Sequence, residues 1–491
     1  MRFLFVHQNF PGQYLHIVRD LLAEGGHEIV FMTEPNQNTI QGVRKVTYSR
    51  PPATHAAVHP AAREFDVAMR RAEAAYAGAR QIKALGFTPD VIVGHHGWGE
   101  LLNLVDVFPG VPLLGYFEFY YRIDRTDVNF DPEFPMPTDR FGAVRAKNGV
   151  NHLAIGLEQF GQTPTEWQWA TYPAWARDRI AIIREGVDLG ICKPDPAVRR
   201  APLSVGPLTV SPRQTLITYV ARNLEPYRGF HVLMRALPRI LAERRDVVVS
   251  IVGGDEISYG AAPAKGTWRS VLLEEVGDRI DLSRVHFLGR IPYDDHVRLL
   301  QRSDAHVYFS YPFVASWSLR EALAIGAPVI GSDTKTVTEF VKDGETGLIS
   351  PTLDPQALAD RTLGLLDDPR LATGLSQGAR RFAENNLDLR TYLHDFRAEI
   401  GRITGIDLST VVASVGKAAD AVRPVQPQAA PKRKPAKRAA ARRRAGTPAK
   451  MPASAKAAAG GGKKPRAVAA STGRPTSAKR KPKRPPRPRD A

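Results

Sequence analysis

The sequence predicts an α/β protein built from two doubly wound domains and a basic tail, on three observations. Short apolar runs alternate with helical patterns from Arg2 to about Gly405, as in parallel sheets wrapped by helices. A Pro-rich stretch, Lys193 to Pro212, separates that alternation into two halves and reads as a linker. From Arg423 to Ala491 the composition shifts to Lys, Arg, Ala and Pro, with 22 basic residues against one Asp, while Met1 to Val422 holds 46 basic and 49 acidic residues. The +18 net charge of the 491-residue chain therefore lies in its tail, and the body is close to neutral.

The first half opens with strand, loop, helix, strand. Arg2 to His7 is apolar and runs into Asn9-Phe10-Pro11-Gly12-Gln13. Leu15, Val18, Leu21 and Leu22 then recur at helical spacing up to Gly25-Gly26, and His27 to Phe31 is the next strand. In doubly wound folds, ligands lie beyond the carboxyl ends of the strands. Gly12 is thus either an ordinary turn residue or the point where backbone approaches a phosphate or sugar. The Met1–Gln13 segment is too polar after Val6 for a secretory leader and reads as a strand.

An Ala/Arg-rich helix over roughly 61–85 precedes Pro89 to Val93, a strand ending in Gly94-His95-His96-Gly97-Trp98-Gly99-Glu100. A neutral imidazole at a strand end can hydrogen-bond a sugar hydroxyl. As metal ligands the adjacent pair is poor, because neighbours on a strand point to opposite faces, and no metal site is expected. One structural and one exposed histidine is the competing reading. Leu113 to Glu118 is a further strand, and the aromatic, Asp- and Pro-rich segment after it, Phe119 to Pro137, suits stacking on sugar rings. Glu118, Asp124 and Asp127 are candidate acceptor contacts there, or solvated loop acids.

The second half begins with Leu216 to Arg222, a buried strand ending in arginine, followed by Arg228-Gly229 and a helix over 230–243. Two guanidiniums at a strand end and a helix start suit a diphosphate, since each offers forked donors and a permanent charge. Strands follow at Val247 to Val252 and at Val285 to Gly289, the latter leading into Arg290-Ile291-Pro292. Tyr308 to Ser332 then reads strand, small-residue loop, helix, strand. The start of that helix, at Ser316, Ser318 and Leu319, presents free N–H groups and the positive end of a dipole to an anion. Glu321, in its first turns, gains from the dipole and can accept two hydrogen bonds from a ribose diol.

These stretches resemble family 4 of the retaining glycosyltransferases, two-domain GT-B enzymes that use nucleotide sugars. Glu321 matches the second glutamate of the family's donor-binding signature, and Gly326-Ala327-Pro328-Val329 matches its tail. The first glutamate falls at position 313, which here is Phe313. Arg222 matches the family's arginine, and Arg228 stands where lysine is usual. Arg184-Glu185-Gly186-Val187-Asp188 resembles the stretch before the second domain. The resemblance covers Arg2 to about Thr404.

It implies a GT-B fold of two Rossmann-like domains, 1–200 on the acceptor side and 201–405 on the donor side, with 406–491 a disordered tail. It also implies transfer from a nucleoside-diphosphate sugar to a glycan, lipid-linked or small-molecule acceptor, with retention and without metal or cofactor. Arg222 and Arg228 would neutralise the diphosphate. His95, with His96 next, would stand near the donor sugar, Gly12 in the donor-facing loop, and Arg290 and Ile291 at the base. The catalytic set expected is His95, Arg222 and Arg228.

One cysteine, Cys192, excludes an internal disulfide and fits a reducing cytoplasm. No apolar run approaches the ~20 residues of a membrane span. The tail has too few apolar side chains to bury a core, and its charge suits non-specific nucleic acid or an anionic membrane surface, placing the protein in the cytoplasm or peripherally at the inner membrane. A second function class is therefore a nucleic-acid-associated protein whose tail carries the function while the body only binds ligand. A third, within the fold, is an epimerase or phosphorylase.

Overall fold

The structure, a computed structural model, describes residues 1–49, 52 and 57–408. Except for 406–408, the expected basic tail lies outside the described residues. Two parallel sheets fall within one compact unit. The first contains β1 (Arg2–Val6), β2 (Glu28–Thr33), β3 (Val43–Thr47), β4 (Val91–His95), β5 (Leu113–Tyr116), β6 (Phe160–Thr163) and β7 (Ile180–Ile182), in the order β3-β2-β1-β4-β5-β6-β7. A hairpin of β8 (Leu203–Val205) and β9 (Leu208–Val210) follows. The second sheet contains β10 (Thr215–Asn223), β11 (Val247–Gly254), β12 (Val285–Gly289), β13 (Ala305–Tyr308), β14 (Val329–Ser332) and β15 (Leu348–Ser350), in the order β12-β11-β10-β13-β14-β15.

Both sheets wind outward from the centre in two directions, the topology the alternating pattern predicts. Their central strands are apolar on both faces because helices cover both, as Phe3, Leu4, Phe5 and Val6 illustrate with no exposed surface at all. Two strands of the first sheet escaped sequence reading. Residues Val43-Arg44-Lys45-Val46-Thr47 of β3 form a half-exposed edge with polar side chains, and β6, Phe160-Gly161-Gln162-Thr163, holds a single large apolar residue. Neither gives an apolar run.

The linker is also more ordered than its prolines suggest. It contains a helix over Pro196–Arg200 and the β8–β9 hairpin, whose Leu203, Val205, Leu208 and Val210 pack on Leu216, Val248 and Leu299 of the second sheet's layer. The end of the described body departs further from the expected boundary. The helix Leu389–Thr404, the last among the described residues, leaves the second sheet and lays Leu389, Tyr392, Leu393, Phe396 and Ile400 against Phe3, Phe5, Tyr14 and Ile17 of the first. Arg397 on that helix is 3% exposed and pairs with Asp20 and Glu24. Where it crosses back, Val187 pairs with Asp388, and a Cβ at Gly186 would fall 2.6 Å from the Leu389 Cα. Among the described residues no helix is long and apolar enough to cross a membrane.

Candidate active site

In each sheet the strand order reverses direction between two central strands, β1 and β4 in the first, β10 and β13 in the second. The crevice beyond the carboxyl ends of such strands is where a doubly wound sheet binds its ligand. His7 follows β1 and His95 ends β4, whereas Arg222 lies at the end of β10 and the loop from Phe309 to Ser316 follows β13. The two sets face each other closely enough for the charge of Arg222 to act on Glu118, just after β5.

On the first side, His95 is buried and accepts a hydrogen bond at Nδ1 from the Gly97 N–H at 3.2 Å. Its Nε2 therefore carries the proton and stands 3.5 Å from Glu118 Oε2. The half-buried Glu118 carboxyl is raised by burial, but His95, His7 and Arg222 together hold it below the usual carboxylate range. His7, which sequence reading passed over, packs edge-on to His95 at 5.7 Å, and its Nδ1 lies 2.8 Å from the Asn9 carbonyl oxygen and 2.9 Å from the Asn9 nitrogen. Burial and then the neighbouring His95 lower its pKa to about 4, so it is neutral. Gly12 serves this histidine: its φ is +56°, and a Cβ there would fall 2.7 Å from His7 Nδ1.

His96 is not a ligand contact, contrary to expectation. It is 1% exposed, lies flat on Phe117 at 3.8 Å, and has Nδ1 3.0 Å from the Tyr116 carbonyl and Nε2 2.7 Å from Asn151 Oδ1. Adjacent residues at a strand end point to opposite faces, and this one takes the core.

On the second side, Arg222 is exposed, and Arg228 is not. Arg228 lies 5% exposed beneath the loop after β13, donating from Nη1 to Ser310 Oγ at 2.9 Å and to the Val314 carbonyl at 2.8 Å, with its guanidinium 4.8 Å above the Tyr259 ring. It holds the loop in place from below. The helix Trp317–Ile325 starts without a side-chain cap, because Ser316 Oγ turns instead to Tyr308 and to Ser318 Oγ at 2.7 Å. The positive end of the helix is thus left open at the crevice. Leu319 corrects another expectation: its side chain is wholly buried, and its N–H donates to the Ser316 carbonyl at 3.3 Å.

Glu321 is 9% exposed and is oriented from the helix Tyr293–Arg302, accepting from Tyr293 Oη at 3.0 Å and lying 2.9 Å from His296 Nε2. Those partners, three apart on one helix face, went unread because nothing local marks them. Burial pushes the Glu321 carboxyl up, and His296, Tyr293 and His16 together outweigh it to leave the pKa lowered. At the far end of the crevice, Arg290 follows β12 and bonds Glu256 and Asn223, and Ile291 is half-buried against the hairpin layer.

Phe313 shows what replaces the absent glutamate. It packs edge-on to Phe119 from the first half at 4.8 Å, with Tyr121, Tyr227 and Tyr259 around them, and its carbonyl accepts from Trp167 Nε1 at 2.8 Å. The segment after β5 continues across the crevice. Asp127 accepts from Tyr227, Asp131 from Tyr311 and His231, and Glu133 forms a two-pronged pair with Arg235 at 2.6 and 2.7 Å. Asp131, Glu133 and His231 converge closely enough to suggest a cation site, but these bonds account for their positions. Asp124 stays at the surface beside Arg122 and Arg125.

A GT-B architecture, two parallel doubly wound layers with opposed crevices, is what these elements define, and solved structures agree. A sucrose-phosphate synthase from Thermosynechococcus elongatus superposes with a TM-score of 0.63 at 18% identity, over 82% of this chain and 98% of that one. The Anabaena HepE structure in complex with UDP and glucose gives 0.57 at 15% identity, over 82% of this chain and all of that one. In sequence, residues 25–191 match the glycosyl transferase family 4 group and residues 208–382 match glycosyl transferases group 1. A D-rhamnosyltransferase of Pseudomonas aeruginosa is 32% identical over 306 residues, which is 61% of this chain and 70% of that protein. A D-inositol 3-phosphate glycosyltransferase of Corynebacterium efficiens is 29% identical over 212 residues, 42% of this chain. The chain spans about half the length of several curated relatives it matches, 47% in that case. It belongs to the group 1 glycosyltransferases.

Proposed function

We propose that the chain transfers a sugar from a nucleoside-diphosphate donor to a hydroxyl acceptor, glycan or lipid-linked, with retention of configuration and without a divalent metal. The observation that carries this reading is the uncapped helix start at Ser316–Trp317 beside the exposed Arg222, opposite His95 and Glu118. A helix dipole and a guanidinium aimed at one crevice take up the charge that develops on a departing diphosphate. Arg228 contributes from beneath, by fixing the loop and adding a buried positive charge. Glu321 holds the ribose hydroxyls with the oxygen lone pairs that Tyr293 and His296 leave free. His95 donates from Nε2 to the donor sugar, and Arg290 and Ile291 border the base.

Attack comes from the face the leaving group vacates. The departing phosphate oxygen accepts the acceptor's proton, so no side chain is needed as base. The UDP and glucose bound by the Anabaena HepE structure support a nucleotide-sugar donor, and the name of the D-rhamnosyltransferase makes a deoxyhexose one donor sugar to try.

The test is thermal stabilisation of the full chain by UDP, GDP and ADP, with and without EDTA, repeated for Arg222→Ala. One nucleotide is expected to stabilise the protein regardless of EDTA. The variant should need about tenfold more of it, the scale of one charged hydrogen bond. No stabilisation by any of the three would overturn the reading.

A further inference from the structure

Between the two sets of strand ends lies a buried carboxylate that touches both. Glu185, 5% exposed, follows β7 in the stretch that leads into the linker. Its Oε1 accepts from Tyr116 Oη at 3.0 Å, and Tyr116 ends β5 with its ring 5.5 Å from that of His95. Its Oε2 accepts from Trp317 Nε1 at 2.8 Å, and Trp317 is the first residue of the helix whose open start faces the crevice. Arg320, one turn along that helix, lies 3.5 Å from the same oxygen. His16, on the helix Leu15–Glu24, adds a ring contact to Trp317 at 6.2 Å.

Glu185 is itself held still at its root. On one side Arg184 bonds Glu339 at 3.2 Å and Glu166 at 2.6 Å. On the other, the Val187 N–H donates to the Leu387 carbonyl at 2.8 Å, and the Leu389 N–H donates to the Val187 carbonyl at 3.1 Å. The side chain is therefore an arm of set length, pinned at one end, that joins the end of β5 to the start of the helix. A buried ion pair adds little stability over apolar residues of the same volume. Its two directed hydrogen bonds do fix a distance and an orientation.

We propose that Glu185 is a positioning residue: by holding Trp317 at a glutamate's reach from Tyr116, it aims the helix start at the donor diphosphate. This rests on the transferase reading above. The N–H groups of a first turn act on an anion only at short range and in line with it. Releasing Trp317 thus weakens the contact to the diphosphate. The ribose contact stays, because Glu321 has anchors of its own in Tyr293 and His296. Aspartate at this position keeps the charge that faces Arg320 but withdraws the carboxylate by one methylene, too short to meet both donors.

The experiment is NMR titration of the full chain with UDP, GDP and ADP and with uridine, guanosine and adenosine, at a temperature where every variant is folded. The native chain is expected to prefer one diphosphate to its own nucleoside. Trp317→Phe, which keeps an aromatic ring without the N–H, and Glu185→Asp should each cut that preference about tenfold, the scale of one charged hydrogen bond, with the nucleoside affinity unchanged. The double variant should lose no more than either single one, since both break the same contact. Trp317→Phe removes no charge and decides alone if Glu185→Asp does not fold. A native preference in either variant, equal losses for nucleoside and diphosphate, or losses that multiply in the double variant would each overturn the positioning role and leave the transferase reading standing. A native chain that binds none of the three diphosphates would overturn both.

Discussion

Lowering the pH from 7 to 5 tests the assignment of His96 as a core residue. Burial, then the neighbouring His95, lowers its pKa to about 4 in the folded chain, against about 6.5 for an unfolded imidazole. Between those values the unfolded state binds the extra proton, so stability must fall as the pH falls. At about 1.4 kcal/mol per pH unit the full linkage approaches ~3 kcal/mol, of which ~2 kcal/mol is lost by pH 5. Carboxylates add little in this window, because most titrate below it. His7, at about 4, and His306, lowered to about 3 by burial first, behave alike, so His96→Gln should flatten the pH dependence by ~2 kcal/mol without removing it. Urea unfolding followed by tryptophan fluorescence at pH 7, 6 and 5 measures both slopes. Parallel slopes for native and variant protein would refute the buried, neutral assignment.

Three further outcomes follow from the packing. Arg320 is 1% exposed, its three guanidinium nitrogens lack hydrogen-bond partners among the described residues, and its ion partner Glu185 stands 3.5 Å away, already accepting from Tyr116 and Trp317. Arg320→Met leaves the buried Glu185 carboxylate without its counter-charge and should therefore cost about 3 kcal/mol or more in urea unfolding, and a loss under about 1 kcal/mol would show that Glu185 does not depend on this arginine. Phe313→Ala empties the centre of the aromatic cluster between the two halves and should cost about 3 kcal/mol in urea unfolding; an unchanged midpoint would remove the cluster from the account. Along the segment that crosses the crevice, Asp131→Asn should cost about 2 to 4 kcal/mol, since its partners His231 and Tyr311 are buried. Glu133→Gln, at a half-exposed pair, should cost under about 1 kcal/mol, and equal effects in calorimetry would contradict that gradient.

The legible parts of this protein are those whose signal is local. The strand-to-loop transitions at His95, Arg222 and Tyr308 announced themselves as apolar runs cut short by Gly, Pro or charge, and the structure puts each at the crevice. The helix Phe230–Glu243 lies where its period placed it. What could not be read depends on partners distant in sequence. His95 and His96 differ in the chain only by a ranking within the family resemblance, and it takes Asn151 and Phe117 to make one of them structural. Arg228 looked as available as Arg222 until Ser310 and Val314 claimed it. His7 ends an ordinary first strand, and only its contact with His95 gives it meaning.

The return of the helix Leu389–Thr404 to the first sheet makes the two halves interdependent in assembly. Emerging from synthesis, residues 1–200 form a layer whose Phe3, Phe5 and Tyr14 side remains uncovered until almost the whole body has been made. The first half is completed last. Conversely, a single cut in the 193–212 segment would release neither half: the second fragment still carries the helix that closes the first, so the pair stays together or can be reunited from separate chains. A gene fragment ending near residue 386 would, by the same geometry, damage the end of the protein farthest from the truncation.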